Sequence, residues 1–226
     1  AVFASHLLNN PNEENTQRAL NVLKKADATL GRKFVSLGKQ STGHCVVMLT
    51  GSPEPLARRL IKSAYHAADE YWAGRRGRTP AIVKNLKDLA ASETISTTEV
   101  VNAIGQLQDA VAKSGGNGVL LVIDELGKFL EYEARHYGAN DIYLLQSLAE
   151  HAFVNHEAKL TIAVLLHQSF EQYAKGLGQS LKNEWAKVQG RFENIHFLEA
   201  SEQVLRFVSV AFSSSFYEAH QKEIAK

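Results

Sequence analysis

The segment at residues 118–125 (GVLLVIDE) constrains the fold of this chain more than any other. Its five apolar residues, 119–123, are uninterrupted and are followed at once by Asp124 and Glu125. A short continuous apolar run of this kind is typical of a strand covered on both faces, as in a parallel sheet. Ligands of such sheets bind beyond the carboxyl ends of the strands, so the two acidic residues stand where a functional site is expected.

Two further runs are mainly apolar, at residues 45–49 and 160–166, with Thr161 as the one polar residue of the second, which is followed by His167 and Gln168. Patterns typical of helices of ten or more residues lie between the runs. Strands that alternate with such helices predict an α/β fold with a mostly parallel sheet. The chain has 226 residues, which fits one such domain better than two.

Local signals predict where several helices begin. Ser52 is expected to cap a helix whose first position is Pro53. The residues from Ser96 to Glu99 have the spacing of a capping box. A third helix is expected to open at Asp141, with a set of apolar residues facing inward: Leu145, Leu148, Ala149, Ala152 and Phe153.

The two ends of the chain have their own patterns. Residues 1–8 are predicted to be the last turns of a helix, and a second helix is expected to run from about Asn15 to Gly31. Near the other end, residues 195–198 are predicted to be a short strand. A final helix is expected over residues 201–223, capped by Ser201.

Asp124 and Glu125 have a specific chemical interpretation. A carboxylate at the end of a buried strand can bind the water shell of Mg²⁺, and the next carboxylate can orient or deprotonate an attacking water. The alternative is that Asp124 only ends the strand and caps the segment that follows it. A metal-dependent nuclease would need further carboxylates or histidines near Asp124, and the sequence places none there obviously.

Four phrases of the sequence resemble a known class of protein: VIDELGKFLE at 122–131, DIYLLQ at 141–146, LLHQ at 165–168 and EWAKVQGRFE at 184–193. They resemble the P-loop ATPase core of large bacterial ATP-binding proteins of AAA+/STAND type, several of which serve in phage-defence systems such as BREX. The resemblance covers most of the chain from about residue 44 onward. It implies a three-layer P-loop NTPase-like core, with the Walker B segment at 118–125 and the sensor strand at 160–168.

The resemblance also implies roles for individual residues. Asp124 would coordinate the Mg²⁺ of a bound ATP, and Glu125 would act on the attacking water. His167 or Gln168 would be the sensor that reads the γ-phosphate. Arg191 matches the position from which such ATPases often present an arginine to the nucleotide of a neighbouring subunit.

Structural roles remain open for some of the same residues. For His167, the alternative role of a hydrogen-bonded histidine at the end of a strand has the same weight as the sensor role. Arg191 is also interpreted as part of a surface salt bridge, with Glu193 or Glu199 as its partner. Lys128 is expected to shape the loop after the acidic pair rather than to take part in chemistry.

One element of the resemblance is missing. ATP phosphates require a Gly-x-x-x-x-Gly-Lys-[Ser/Thr] loop that opens a helix. Gly38-Lys39 is followed by Gln40 and then by a predicted strand, and Gly127-Lys128 follows the acidic pair. The resemblance therefore implies that residues 1–8 come directly after a phosphate loop and first strand that lie upstream. The strand 160–166 should then have one unpaired edge.

The expected function is an ATP-binding and hydrolysis domain of a larger bacterial ATPase, for which residues 1–226 are a single core fragment. ATP and Mg²⁺ are expected to bind only with the upstream loop, and the remainder of the larger polypeptide is the expected partner. The chain alone should hydrolyse no ATP. The alternative is a non-catalytic P-loop-like scaffold for protein or DNA contact.

Composition bears on location and partners. The net charge of +1 gives no overall field that favours nucleic acid or membrane, and no apolar stretch approaches the ~20 residues that span a bilayer. The basic segment 75–78 (RRGR) is either a solvated loop or a DNA contact. The single cysteine, Cys45, suits a reducing compartment, so a cytoplasmic location is expected. Assembly into a homo-oligomer is left open.

Overall fold

The computed structural model of the chain describes residues 6–9, 14–38, 43–73, 77–136, 141–154, 157–168, 170–173 and 179–195. The chain divides into two compact units, Ala1–Phe192 and Glu193–Lys226. Every helix and strand given below belongs to the first unit, and only residues 193–195 of the second unit are described.

The first unit is an α/β structure in which helices alternate with strands. In chain order the described elements are α1 (Glu14–Ala26), α2 (Ala28–Gly38), β1 (His44–Thr50), α3 (Leu56–Trp72), α4 (Ala81–Ala90), α5 (Thr97–Lys113), β2 (Gly118–Asp124), α6 (Gly127–Arg135), α7 (Asp141–Ala152), β3 (Lys159–Val164), α8 (Phe170–Tyr173) and α9 (Gln179–Gln189). The predicted fold class is confirmed at this level.

The three strands form one parallel sheet in the order β1-β2-β3. The register pairs Thr50 of β1 with Asp124 of β2, and Ile123 of β2 with Val164 of β3. The sheet is compatible with a P-loop-like core. Within the described ranges β3 pairs only with β2, and the expectation of one unpaired edge stays a prediction.

The main hydrophobic cluster packs against one face of the sheet. Helices α3, α5 and α7 contact β1, β2 and β3 respectively. Residues at alternate positions of the strands point into this core: Cys45, Val47, Leu49, Val119, Leu121, Ile123 and Leu160. Burying one such aliphatic side chain contributes about 1.5–3 kcal/mol, so this face supplies much of the stability that fixes the strand ends. Cys45 is fully buried in this core.

The predicted single helix up to Gly31 is wrong. Helix α1 ends at Ala26, and α2 begins at Ala28 because the Asp27 carboxylate accepts the amide hydrogens of Thr29 and Leu30. Gly31 lies inside α2, against α1. A Cβ atom at this position would stand 2.6 Å from Cγ of Lys24, which explains the glycine by close packing rather than by helix termination.

The predicted cap at Ser52 is also wrong. Helix α3 begins three residues after Pro53, at Leu56, and the Ser52 hydroxyl donates to Glu54 Oε1 at 2.8 Å instead. The capping box of α5 is confirmed, with Ser96 and Glu99 bonding each other's backbone amides. Local spacing alone did not distinguish the two cases.

The segment after the acidic pair was expected to be a loop, and it is helix α6. Helix α7 opens at Asp141 as predicted. Phe153 was expected to face inward, but the helix ends at Ala152 and the Phe153 side chain is 80 % exposed.

Other predictions concern residues at or beyond the limits of the description. Residues 6–8 are helical, as predicted for the end of the first helix. Ile195 is described and is not part of a strand. The rest of the predicted strand at 195–198, the predicted helix at 201–223, and Arg75 and Arg76 lie outside the described residues. None of the described helices has the length and apolar character needed to cross a membrane.

Candidate functional site

Asp124 and Glu125 lie at the carboxyl edge of the sheet, where the sequence placed them. Asp124 is the last residue of the central strand β2 and pairs with Thr50 at the end of β1. Both acidic side chains are partly exposed. Since β2 is buried along its length from Gly118 to Ile123, the strand fixes the position of the carboxylates while their oxygens still reach solvent.

The backbone of Glu125 is in the left-handed region, with φ of 54°. It is the one residue other than glycine with positive φ in the described part of the chain. This conformation crowds Cβ against the following carbonyl and is unusual for glutamate. Such a residue persists only where the surroundings hold it.

Backbone hydrogen bonds from both neighbouring strands hold this turn. Gly51, just after β1, donates its amide to the Asp124 carbonyl at 2.8 Å. On the other side, Leu126 donates to the Leu165 carbonyl at 3.2 Å. The turn is therefore tied to the ends of β1 and β3.

The Glu125 carboxylate is bound by two basic side chains. Lys128 Nζ lies 2.5 Å from one oxygen, and His167 Nε2 lies 3.4 Å from the other. The hydrogen bond from Lys128, and secondarily that from His167, holds the pKa of Glu125 below its ordinary value. Glu125 is thus an ionised, partly exposed carboxylate at neutral pH.

Helix α8 packs against the first turn of α6, next to the site. The Tyr173 ring lies over Gly127, where a Cβ atom would stand 2.2 Å from Cζ of the ring. Because α8 follows His167 and Gln168 closely in the chain, this contact connects the end of β3 to the segment that carries Lys128.

The structure brings some of the predicted site residues together and not others. Glu125 and His167 are in contact, and Gln168 is exposed beside His167. Arg191 forms a separate salt bridge, in which Nε and Nη2 lie 3.1 and 2.7 Å from Oε1 of Glu150 on α7. A salt bridge was one of the two roles left open for Arg191, but its partner is Glu150.

The sequence interpretation did not assign two kinds of site residue. Lys128 binds Glu125 directly, and its position only three residues further along the chain was a usable signal. Asp141 and Glu133 form a carboxyl pair, in which Asp141 is completely buried. Burial, and then the charge of Glu133, raise the pKa of Asp141 to about 8. Nothing in the spacing of the sequence indicates that Glu133 lies beside Asp141 or that Asp141 binds the Leu56 amide.

Asp124 is suited to bind Mg²⁺, because a Mg²⁺ ion in a nucleotide site needs few ligands from the protein. No group of three or more His, Cys, Asp or Glu side chains is arranged around a common point in the described segments. Mg²⁺ in nucleotide sites keeps several waters and takes only one or two protein carboxylates besides the phosphates. A partly exposed Asp124 beside the Thr50 position meets that requirement.

Comparison of the chain with protein-family models, with curated proteins and with solved structures gives no match. The chemistry of the site is therefore inferred from its own residues and their contacts.

Proposed function

We propose that this chain carries the Mg²⁺-binding and water-activating part of an ATP-hydrolysing site. The observation that supports the proposal best is the acidic turn itself: Asp124 and Glu125 leave the central strand of a parallel sheet at its ligand-binding edge, in a backbone conformation fixed from both sides.

In the proposed reaction, water attacks the γ-phosphorus in line and the bond from that phosphorus to the ADP oxygen breaks. Glu125 orients the water and accepts its proton. Asp124 would hold the Mg²⁺, which when bound offsets the negative charge on the phosphates. His167, which already touches Glu125, stands where a γ-phosphate sensor is expected, and Gln168 is the neighbouring candidate.

Arg191 has a secondary place in the proposal. Its guanidinium is engaged by Glu150 in the isolated chain, so presenting it to the nucleotide of a neighbouring subunit requires that salt bridge to open. The salt bridge is partly exposed, and such contacts contribute little to stability, so breaking it requires little free energy.

The proposal is tested by nucleotide binding and turnover, measured on the chain alone and on the full-length product of its gene, called the extended protein below. ATP binding requires a phosphate-binding loop, so we expect turnover only in a protein that contains one. There, Glu125→Gln should reduce kcat by at least about 100-fold and leave Mg·ATP affinity within about threefold. Asp124→Asn should weaken the Mg²⁺ dependence of binding.

The matched control is Glu131→Gln, which removes an exposed carboxylate from helix α6, just after the acidic turn, and should leave kcat unchanged. Turnover that survives Glu125→Gln would remove that residue from the mechanism. An extended protein that binds no nucleotide would favour the alternative, a scaffold with a P-loop-like fold.

A further inference from the structure

The acidic turn is connected to a buried carboxyl, Asp141, through the loop at residues 51–55. At one end of this loop, the Gly51 amide donates to the Asp124 carbonyl at 2.8 Å. At the other end, the Leu56 amide donates to Asp141 Oδ1 at 2.9 Å, although the two residues are 85 positions apart. A hydrogen bond therefore anchors each end of the loop.

A second connection reaches the same place through helix α6. This helix begins two residues after Glu125 and carries Glu133 near its end. Glu133 Oε2 accepts the amide hydrogen of Ile142 at 3.1 Å, next to Asp141. Together the two connections close a ring of contacts from the acidic turn to Asp141 and back.

Asp141 occupies an unusual position in this ring. It is 0 % exposed, and its second oxygen, Oδ2, is buried and has no hydrogen-bond partner among the described residues. Helix α6 presents Glu133, and α3 presents the Leu56 amide. Arg59, one turn along α3, has a buried Nε without a partner, and no ion pair joins it to Asp141 within the described ranges. An ionised carboxylate in this setting would be buried, half unpartnered and beside a like charge, which is strongly unfavourable.

We propose that Asp141 is protonated at neutral pH and acts as the positioning residue that holds the loop 51–55 against the acidic turn, and that alkaline pH releases this hold. The neutral acid keeps the Oδ1 acceptor that caps α3. In the ionised form, Oδ2 must be hydrated, and the entry of water opens the contact between α3 and α7.

The electrostatic balance supports the direction of this switch. Burial is the largest cause that raises the pKa of Asp141, to about 8, and the charge of Glu133 adds to it. The Leu56 hydrogen bond acts in the opposite direction and is outweighed. The pKa of Asp141 in the folded chain lies above that of an ordinary carboxyl, so the folded state keeps this proton to a higher pH than the unfolded state does. The contribution of protonated Asp141 to folding stability is complete below pH ~4 and is lost progressively as pH rises to about 8.

The experiment is an NMR titration of the whole chain between pH 5.5 and 9.5, without nucleotide or metal. We expect the Asp141 carboxyl ¹³C resonance to titrate with a midpoint near pH 8, and the amide resonances of Leu56 and Gly51 to move with the same midpoint. Asp141→Asn retains the acceptor and is neutral at every pH, so both amides should be insensitive to pH in that variant. Asp88→Asn, at an exposed site on α4, is the control and should titrate like the unaltered chain.

Glu133→Gln provides a second variant that keeps the acceptor for Ile142 and removes the neighbouring charge. It should lower the common midpoint by about one pH unit. A midpoint for Asp141 below pH 6 would overturn the proposal, as would Leu56 and Gly51 amides that shift equally in Asp141→Asn. Because no nucleotide is present, the result is separate from the proposed ATP hydrolysis.

Discussion

Gly51 lies so close to Glu125 that a Cβ atom at residue 51 would stand 2.1 Å from the Glu125 carbonyl oxygen. The contact is between backbone and backbone, so no side-chain rotation can relieve it. It joins the end of β1 to the turn in which Glu125 has positive φ. The position of the Glu125 carboxylate thus depends on the absence of a side chain on the neighbouring segment.

We therefore expect Gly51→Ala to be strongly destabilising, by about 2–4 kcal/mol, because the added methyl group forces the two backbones apart. Chemical unfolding monitored by circular dichroism measures the effect. Gly190→Ala is the control, since a Cβ atom there would meet its nearest neighbour at an ordinary 3.5 Å. Equal midpoints for the two variants would show that the Gly51 contact is not tight in solution.

The conformation of Glu125 leads to a second prediction. Glycine adopts positive φ without steric cost, so Glu125→Gly should be more stable than Glu125→Gln, by about 2–4 °C in Tm. The difference isolates the backbone, because both variants lose the negative charge that binds Lys128 and His167.

The comparison needs a site where glycine is unfavourable. Glu131→Gly, inside helix α6, should be less stable than Glu131→Gln, because glycine has a low propensity for the interior of a helix. If glycine lowers Tm at both positions, Glu125 is not in the left-handed region in solution.

Gly127 and Tyr173 form the contact that connects α6 to α8. Gly127→Ala places a methyl group inside the Tyr173 ring, so we expect a loss of about 1–3 kcal/mol in unfolding free energy. In a chain that already carries Tyr173→Ala, the same substitution should cost little, because the ring is gone. A double-mutant cycle measures this coupling, and a coupling energy near zero would mean that the two helices do not pack in solution.

The sequence predicted the features that depend on local pattern. Continuous apolar runs identified three parallel strands, and the position of Asp124 at a strand end followed from them. The features that it did not predict arise from contacts between distant segments. The first amide of α3 is bound by Asp141 rather than by Ser52, since a carboxyl group from another helix can accept its hydrogen bond.

Helix α6 was missed for a related physical reason. Its first residue is Gly127, which lacks intrinsic helix preference, and the segment follows a strand directly. Packing of Phe129 and Leu130 into the core and of Tyr173 over Gly127 stabilises the helix there. The local sequence pattern gives no information about the distant residues against which this helix packs.

Variants of the salt bridge between Arg191 and Glu150 would distinguish the two roles that are open for Arg191. Both side chains are partly exposed, so Arg191→Met should change Tm by less than about 2 °C. Were Arg191 also presented to the nucleotide of a neighbouring subunit, the same variant would lose ATP turnover in the extended protein, and Glu150→Gln, which removes the competing carboxylate, would retain it. Loss of turnover in neither variant would leave the salt bridge as the role of Arg191. Loss in both would indicate that the contact between α7 and the end of α9, rather than the arginine itself, is required.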